Sequence, residues 1–399
     1  MINAMEYTPK NEIQARIKKF QDNMFSIECS GSIITQHSDF FYLTGTSQSG
    51  FLFIPKEGDP VLMIRRSYKR AKKESPLEHI VQLNSIKKIP EILEKAGYFD
   101  LKILGFELDV LPYNTCFFYK KIFNDAKLID ISPIIKTIRR IKSSYEIELL
   151  SKACSVIDEV FLDVPGMIRE EMPEIELASL FEAGMRKRGY GGCCKMRAFN
   201  QDFFLGNVLS GESGAVTTYF DGPTGGPGLT PANNPHGAGW KGIKRNEIIF
   251  IDYTCVINGY TADETRMFII GTPTEKFKEA FEKALFIQSE LVALAKPGVA
   301  CEELYEKAIF LAEKTGFGDS FMGIGTDKVK FIGHGVGLEL DEAPIFARGV
   351  KMPLESGMTF ALEPKFVFPE GAIGTENTFV MREEGAEVLT HAKEILTQL

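Results

Sequence analysis

No uninterrupted apolar run in these 399 residues is long enough to span a bilayer, which excludes a helical membrane protein. The start, MINAMEYTPKNEIQARIKKF, lacks the basic stretch, apolar run and small-residue cleavage site of a secretory signal, so a cytoplasmic protein is expected. Cysteine is sparse and unpatterned: the seven at 29, 116, 154, 193, 194, 255 and 301 form no C-x-x-C pair. That argues against a disulfide framework or a zinc ribbon and for reduced thiols. Positive charge is also short. A formal net charge of -8 removes the basic footprint that nucleic acid needs, leaving a small molecule or peptide as the expected partner.

What is present is a globular balance, with 44% apolar and 25% charged residues, in a chain too long for one hydrophobic core. Two unequal domains, 1–138 and 139–399, are expected. The first alternates a basic helix around 8–20 with strand-like SIITQ, GFLFIP and PVLMIR, then EILEKAG and LKILGFEL, an α/β pattern. The stretch IDISPIIKTIRRIKSS marks the boundary. Behind it Ser143 to Glu146 reads as a capping box, followed by Ile147, Leu150, Cys154, Ile157 and Phe161 at helical spacing. Further helices are expected over 174–188, 277–295 and 301–315. Between them, residues 205–239 are rich in glycine and proline. That stretch lacks P-loop spacing and reads as an ordered functional loop or a lid.

The segment EIIFIDYTCVINGYTADETRMFII contains two β-rich runs joined at Asn258-Gly259, the preferred pair for a two-residue hairpin. If 257 pairs with 260, then 254 pairs with 263, and alternation puts Asp252 and Asp263 diagonally on one face. Diagonal neighbours lie roughly 7 to 8 Å apart, within reach of a shared metal centre. Cys255 falls on the other face and is excluded as a ligand. Ion pairs to Arg266 or Arg245 are the plain alternative for these aspartates. Downstream, FIGHGVGLELDEAP places His334 between glycines that permit close backbone approach. FALEPKFVF and GTENTFVM put Glu363 and Glu376 inside two more apolar β segments. Four carboxylates and one imidazole suit two divalent ions such as Mn²⁺, Co²⁺ or Zn²⁺, although buried ion pairs and a structural histidine would read the same way.

The order of Asp, a second Asp eleven positions on, then His in GHGVGLE, Glu before proline and Glu in a final strand resembles the Xaa-Pro peptidase, methionine aminopeptidase and creatinase family. HSDFFYLTG and IKSSYEIELL extend the resemblance over the whole chain. It implies an α/β chain with a creatinase-type N-terminal domain and a C-terminal pita-bread catalytic domain. The implied metal ligands are Asp252, Asp263, His334, Glu363 and Glu376. Two metals would activate water for attack on an amide carbonyl, with Glu363 also carrying a proton to the leaving amine. The resemblance also implies a homodimer, and it makes His236 in NPHGAG a candidate for substrate contact and catalysis.

Two positions depart from the family. A substrate-contacting histidine usually stands seven residues after the metal-binding one, but Asp341 occupies that place and cannot donate when ionised. An arginine usually stands two residues before the last glutamate, where this chain has Gly374. Asp341 would suit a cationic substrate group. The leading expectation is a hydrolase that removes the N-terminal residue from short peptides, above all before proline. A creatinase-like or other non-peptidic C–N hydrolase acting on a small amide comes next, and a binding protein that kept the fold without the chemistry comes last.

Overall fold

The computed structural model describes residues 6–192, 194–197, 205–232 and 235–399. Its chain divides into two compact units between Arg139 and Arg140. The stretch read as a boundary is itself helical, Ser132–Arg140, because Pro133 sits in the first turn, where its missing N–H costs nothing.

The N-terminal unit is built on a six-stranded sheet ordered Ile80–Gln82, Val61–Ile64, Gly50–Pro55, Gly31–Ile34, Ile103–Phe106, Lys127–Asp130. Alternation along the strands sends Ile33, Phe51, Phe53, Val61, Met63, Leu104 and Phe106 into one apolar cluster. The opening helix is Lys10–Met24, starting and ending later than the pattern implied.

The C-terminal unit holds a four-stranded sheet, Leu396–Gln398, Tyr260–Ile269, Ile248–Ile257, Gly206–Ser210, and a five-stranded sheet, Leu340–Ala347, Phe331–Val336, Thr359–Leu362, Asn377–Arg382, Gly385–Val388. A short ribbon pairs Lys365–Phe368 with Gly371–Gly374. Helix Ser144–Asp163 opens with the expected reciprocal cap between Ser143 and Glu146 and buries Ile147, Leu150, Cys154, Ile157 and Phe161. Helices Glu275–Leu294 and Cys301–Lys314 share one apolar core with residues of both larger sheets and the ribbon. Among the described residues no helix is long and apolar enough to cross a membrane.

Candidate metal centre

The centre is assembled from a hairpin, a glycine-flanked strand and two strand breaks. In the hairpin, Asn258 (φ 48°) and Gly259 (φ 90°) both take the left-handed conformation that a tight two-residue turn requires. The register follows from the turn: Ile257 faces Tyr260, Thr254 faces Asp263 and Asp252 faces Thr265. Asp252 and Asp263 are therefore diagonal on one face, and Cys255, fully buried, pairs with Ala262 on the other.

His334 lies on Phe331–Val336, opposite Ala361 of the neighbouring strand. Its flanking glycines serve the sheet. A Cβ at Gly333 would sit 2.2 Å from the Ala361 carbonyl oxygen, and one at Gly335 would sit 2.5 Å from Ala343 backbone. The two glutamates do not lie inside strands as their apolar surroundings implied. Glu363 falls in the break between Thr359–Leu362 and Lys365–Phe368, where Pro364 cannot donate to a ladder, and Glu376 falls between Gly371–Gly374 and Asn377–Arg382. Glu376 is fixed instead from the hairpin: its backbone bridges Thr265, whose hydroxyl donates to Glu376 Oε2 at 2.8 Å.

These elements bring the five expected residues to one small cavity of about 80 Å³, lined also by Asn207, Phe220, Thr224, His236, Asp341 and Lys365. Ligand atoms of Asp263, His334 and Glu376 lie within 4.8 Å of one another. His334 Nε2 stands 3.7 Å from Asp263 Oδ2 and 3.9 Å from Glu363 Oε1. Asp263 Oδ1 is buried without a hydrogen-bond partner among the described residues, an acceptor that a cation would satisfy. Two carboxylates and an imidazole make a donor set that fits a divalent ion of the Mn²⁺, Co²⁺ or Zn²⁺ type.

The pattern did not single out Lys365. Its ammonium, 1% exposed, donates to Asp252 Oδ2 at 2.9 Å, Glu363 Oε2 at 2.8 Å and Glu376 Oε2 at 2.8 Å. The signal was available as a lysine immediately before the apolar run FVF, since an ammonium buried there requires partners. The alternative cations fall elsewhere. Arg266 pairs with Glu264 and donates to the carbonyls of Ala392 and Glu376, and Arg245 reaches Glu170.

Negative charge dominates the centre. Burial raises the Asp263 carboxyl well above its usual range, and Glu376 and Asp252 push the same way. Burial also raises Asp252, against the pull of Lys365. For His334, burial favours the neutral ring, but Asp341, Glu363 and Glu376 together hold its pKa above the ordinary value. Lys365 is likewise desolvated, yet its three carboxylates keep it protonated well above the usual lysine range.

The two residues nominated for substrate contact also face this cavity. His236 is 2% exposed; its Nδ1 lies 2.9 Å from the Thr218 hydroxyl and the Phe220 ring packs beside it. Burial lowers its pKa to about 4. Within the 205–239 stretch, residues 233 and 234 lie outside the described residues. Asp341, at φ 62°, directs Oδ1 to 3.3 Å from His334 Nδ1, so it faces the histidine as well as the cavity.

A family model described as metallopeptidase family M24 matches residues 148–383, more than half of the chain, and one for the creatinase/prolidase N-terminal domain matches 16–141. The chain belongs to metallopeptidase family M24. As an M24 protein it is a metal-dependent peptidase, with a creatinase-type domain followed by a pita-bread domain. A Xaa-Pro dipeptidase of Pyrococcus furiosus is 30% identical over 95% of this chain and 98% of its own. Among solved structures, the prolidase of Pyrococcus horikoshii matches with TM-score 0.79 at 27% identity, over 95% of this chain and 99% of that one. A Xaa-Pro dipeptidase of Bacillus anthracis matches with TM-score 0.82 at 26% identity, over 97% and 100%.

Proposed function

We propose that this M24 peptidase releases the N-terminal residue from short peptides, above all where proline follows. The observation that carries the reading is the convergence of Asp263, His334 and Glu376, with Glu363 and Asp252 beside them, at the floor of one small cavity. Full-length similarity to Xaa-Pro dipeptidases supports the substrate class. A divalent ion at this centre would supply Lewis acidity toward water and the amide carbonyl.

The remaining chemistry belongs to side chains. Glu363 stands 3.9 Å from His334 through one oxygen and accepts from Lys365 through the other, a place from which its carboxylate can take a proton from water and pass it to the leaving amine. His236 stays neutral at physiological pH, with Nδ1 held at Thr218, and is assigned to the substrate carbonyl. Asp341 is assigned to orienting His334 through Nδ1, in addition to the substrate contact that its motif position implied.

A creatinase-like or other C–N hydrolase is the second reading, favoured by Gly374, where no side chain is present to clamp a proline peptide. Di- and tripeptides with and without proline, offered to Mn²⁺-reconstituted and chelator-stripped protein, separate the readings. Release of the residue before proline, lost on stripping and restored by Mn²⁺, is expected. Turnover confined to guanidine- or amine-bearing amides would replace the peptidase substrate with the second class.

A further inference from the structure

Five residues were expected to hold two ions, yet Lys365 already occupies part of the space they enclose. An ammonium has three N–H donors. Here each is directed at a different carboxylate of the set, Asp252, Glu363 and Glu376, at 2.8 to 2.9 Å. An ion using those same oxygens would have to share their focus with a buried fixed positive charge, 1% exposed and anchored at the start of strand Lys365–Phe368. The other half of the centre is different. Asp263, His334 and Glu376 converge there, and Asp263 Oδ1 is buried with no hydrogen-bond partner among the described residues.

The ribbon accounts for how a long side chain fits. Lys365 pairs with Gly374, and a Cβ at 374 would lie 2.5 Å from the Pro364 carbonyl oxygen, 2.7 Å from Lys365 Cα and 2.8 Å from Lys365 Cγ. The absence of a side chain at 374 and the lysine at 365 are therefore one structural arrangement. The space beside position 374 is filled by the lysine itself.

We infer that Lys365 Nζ stands in for one of the two ions, so that the centre holds a single divalent ion on the side of Asp263, His334 and Glu376. This rests on the reading of the cluster as a metal site. The ammonium neutralises the Asp252, Glu363 and Glu376 side of the centre and orders its carboxylates, but it has no open coordination position and brings no ligand exchange. Lewis acidity is thereby confined to one ion, and chelators remove only that ion.

The test is metal content on the full-length chain, by elemental analysis and calorimetric titration with Mn²⁺, joined to the electron paramagnetic resonance of the loaded protein. Wild type is expected to bind about one ion per chain and to give the hyperfine pattern of isolated Mn²⁺. Lys365→Ala, prepared in Mn²⁺ because loss of a buried cation can weaken the fold, is expected to bind about two and to show a spin-coupled pair. Two ions in wild type would overturn the inference while leaving the metal centre intact. No bound ion would remove both. A Lys365→Ala protein that is folded but still holds one ion would show that the ammonium does not take an ion's place.

Discussion

Acidification should weaken the C-terminal unit through His236 alone by an amount that can be isolated. The ring is 2% exposed, and burial lowers its pKa to about 4 against an ordinary value of 6.5. Between those values the unfolded chain binds the proton and the folded chain does not, so stability falls as pH drops below about 6.5 and levels off near 4. At about 1.4 kcal/mol per unit, the full effect is roughly 3 kcal/mol, of which about 2 kcal/mol is reached between pH 7 and pH 5. His236→Gln retains a side-chain amide for Thr218 but has no proton to take up in this range. Urea unfolding of both proteins at the two pH values gives a double difference from which every other titrating group cancels. Wild type should lose about 2 kcal/mol more than the variant on going to pH 5. Equal losses would show that His236 is not held neutral by burial, and the assignment of a neutral donor over the substrate would fail with it.

Asp341→Ala removes the carboxylate 3.3 Å from His334 Nδ1 and should weaken divalent-ion binding roughly 10- to 100-fold by calorimetry; an unchanged affinity would return Asp341 to a role in substrate contact only. Glu363→Gln keeps an acceptor for Lys365 but cannot carry the proton, so turnover should fall roughly 10²-fold or more with the melting temperature nearly unchanged, and near-normal kcat would take Glu363 out of the proton path. Cys255→Ser, on the opposite face of the hairpin, should leave metal content as in wild type; loss of the ion there would mean that the hairpin register is wrong.

Local chemistry made much of this chain legible without coordinates. Asn258-Gly259 demands a tight turn, and a tight turn with a side-chain period of two leaves only one relation between Asp252 and Asp263. The capping box at Ser143 and the helical stripe behind it are likewise statements about neighbours in sequence, and they hold in the fold. Motif order carried the family, and with it the candidate ligands at His334, Glu363 and Glu376. Distance between strands was a different matter. The glycines beside His334 exist because two other backbones press within 2.5 Å of where their Cβ atoms would be, a crowding that no pattern in one strand announces. Glu363 and Glu376 lie in strand breaks because the chain passes from sheet to ribbon and back, which apolar runs of similar composition conceal. The burial of His236 depends on Thr218 and Phe220, 18 and 16 positions upstream in an irregular stretch. Lys365 is the plainest case. Its sequence setting says only that a charge is placed among phenylalanines, whereas its partners lie 113, 2 and 11 positions away. Which charges meet, and so whether carboxylates face an ion or an ammonium, is decided by tertiary packing, because electrostatic energy depends on distance in space and not on order along the chain.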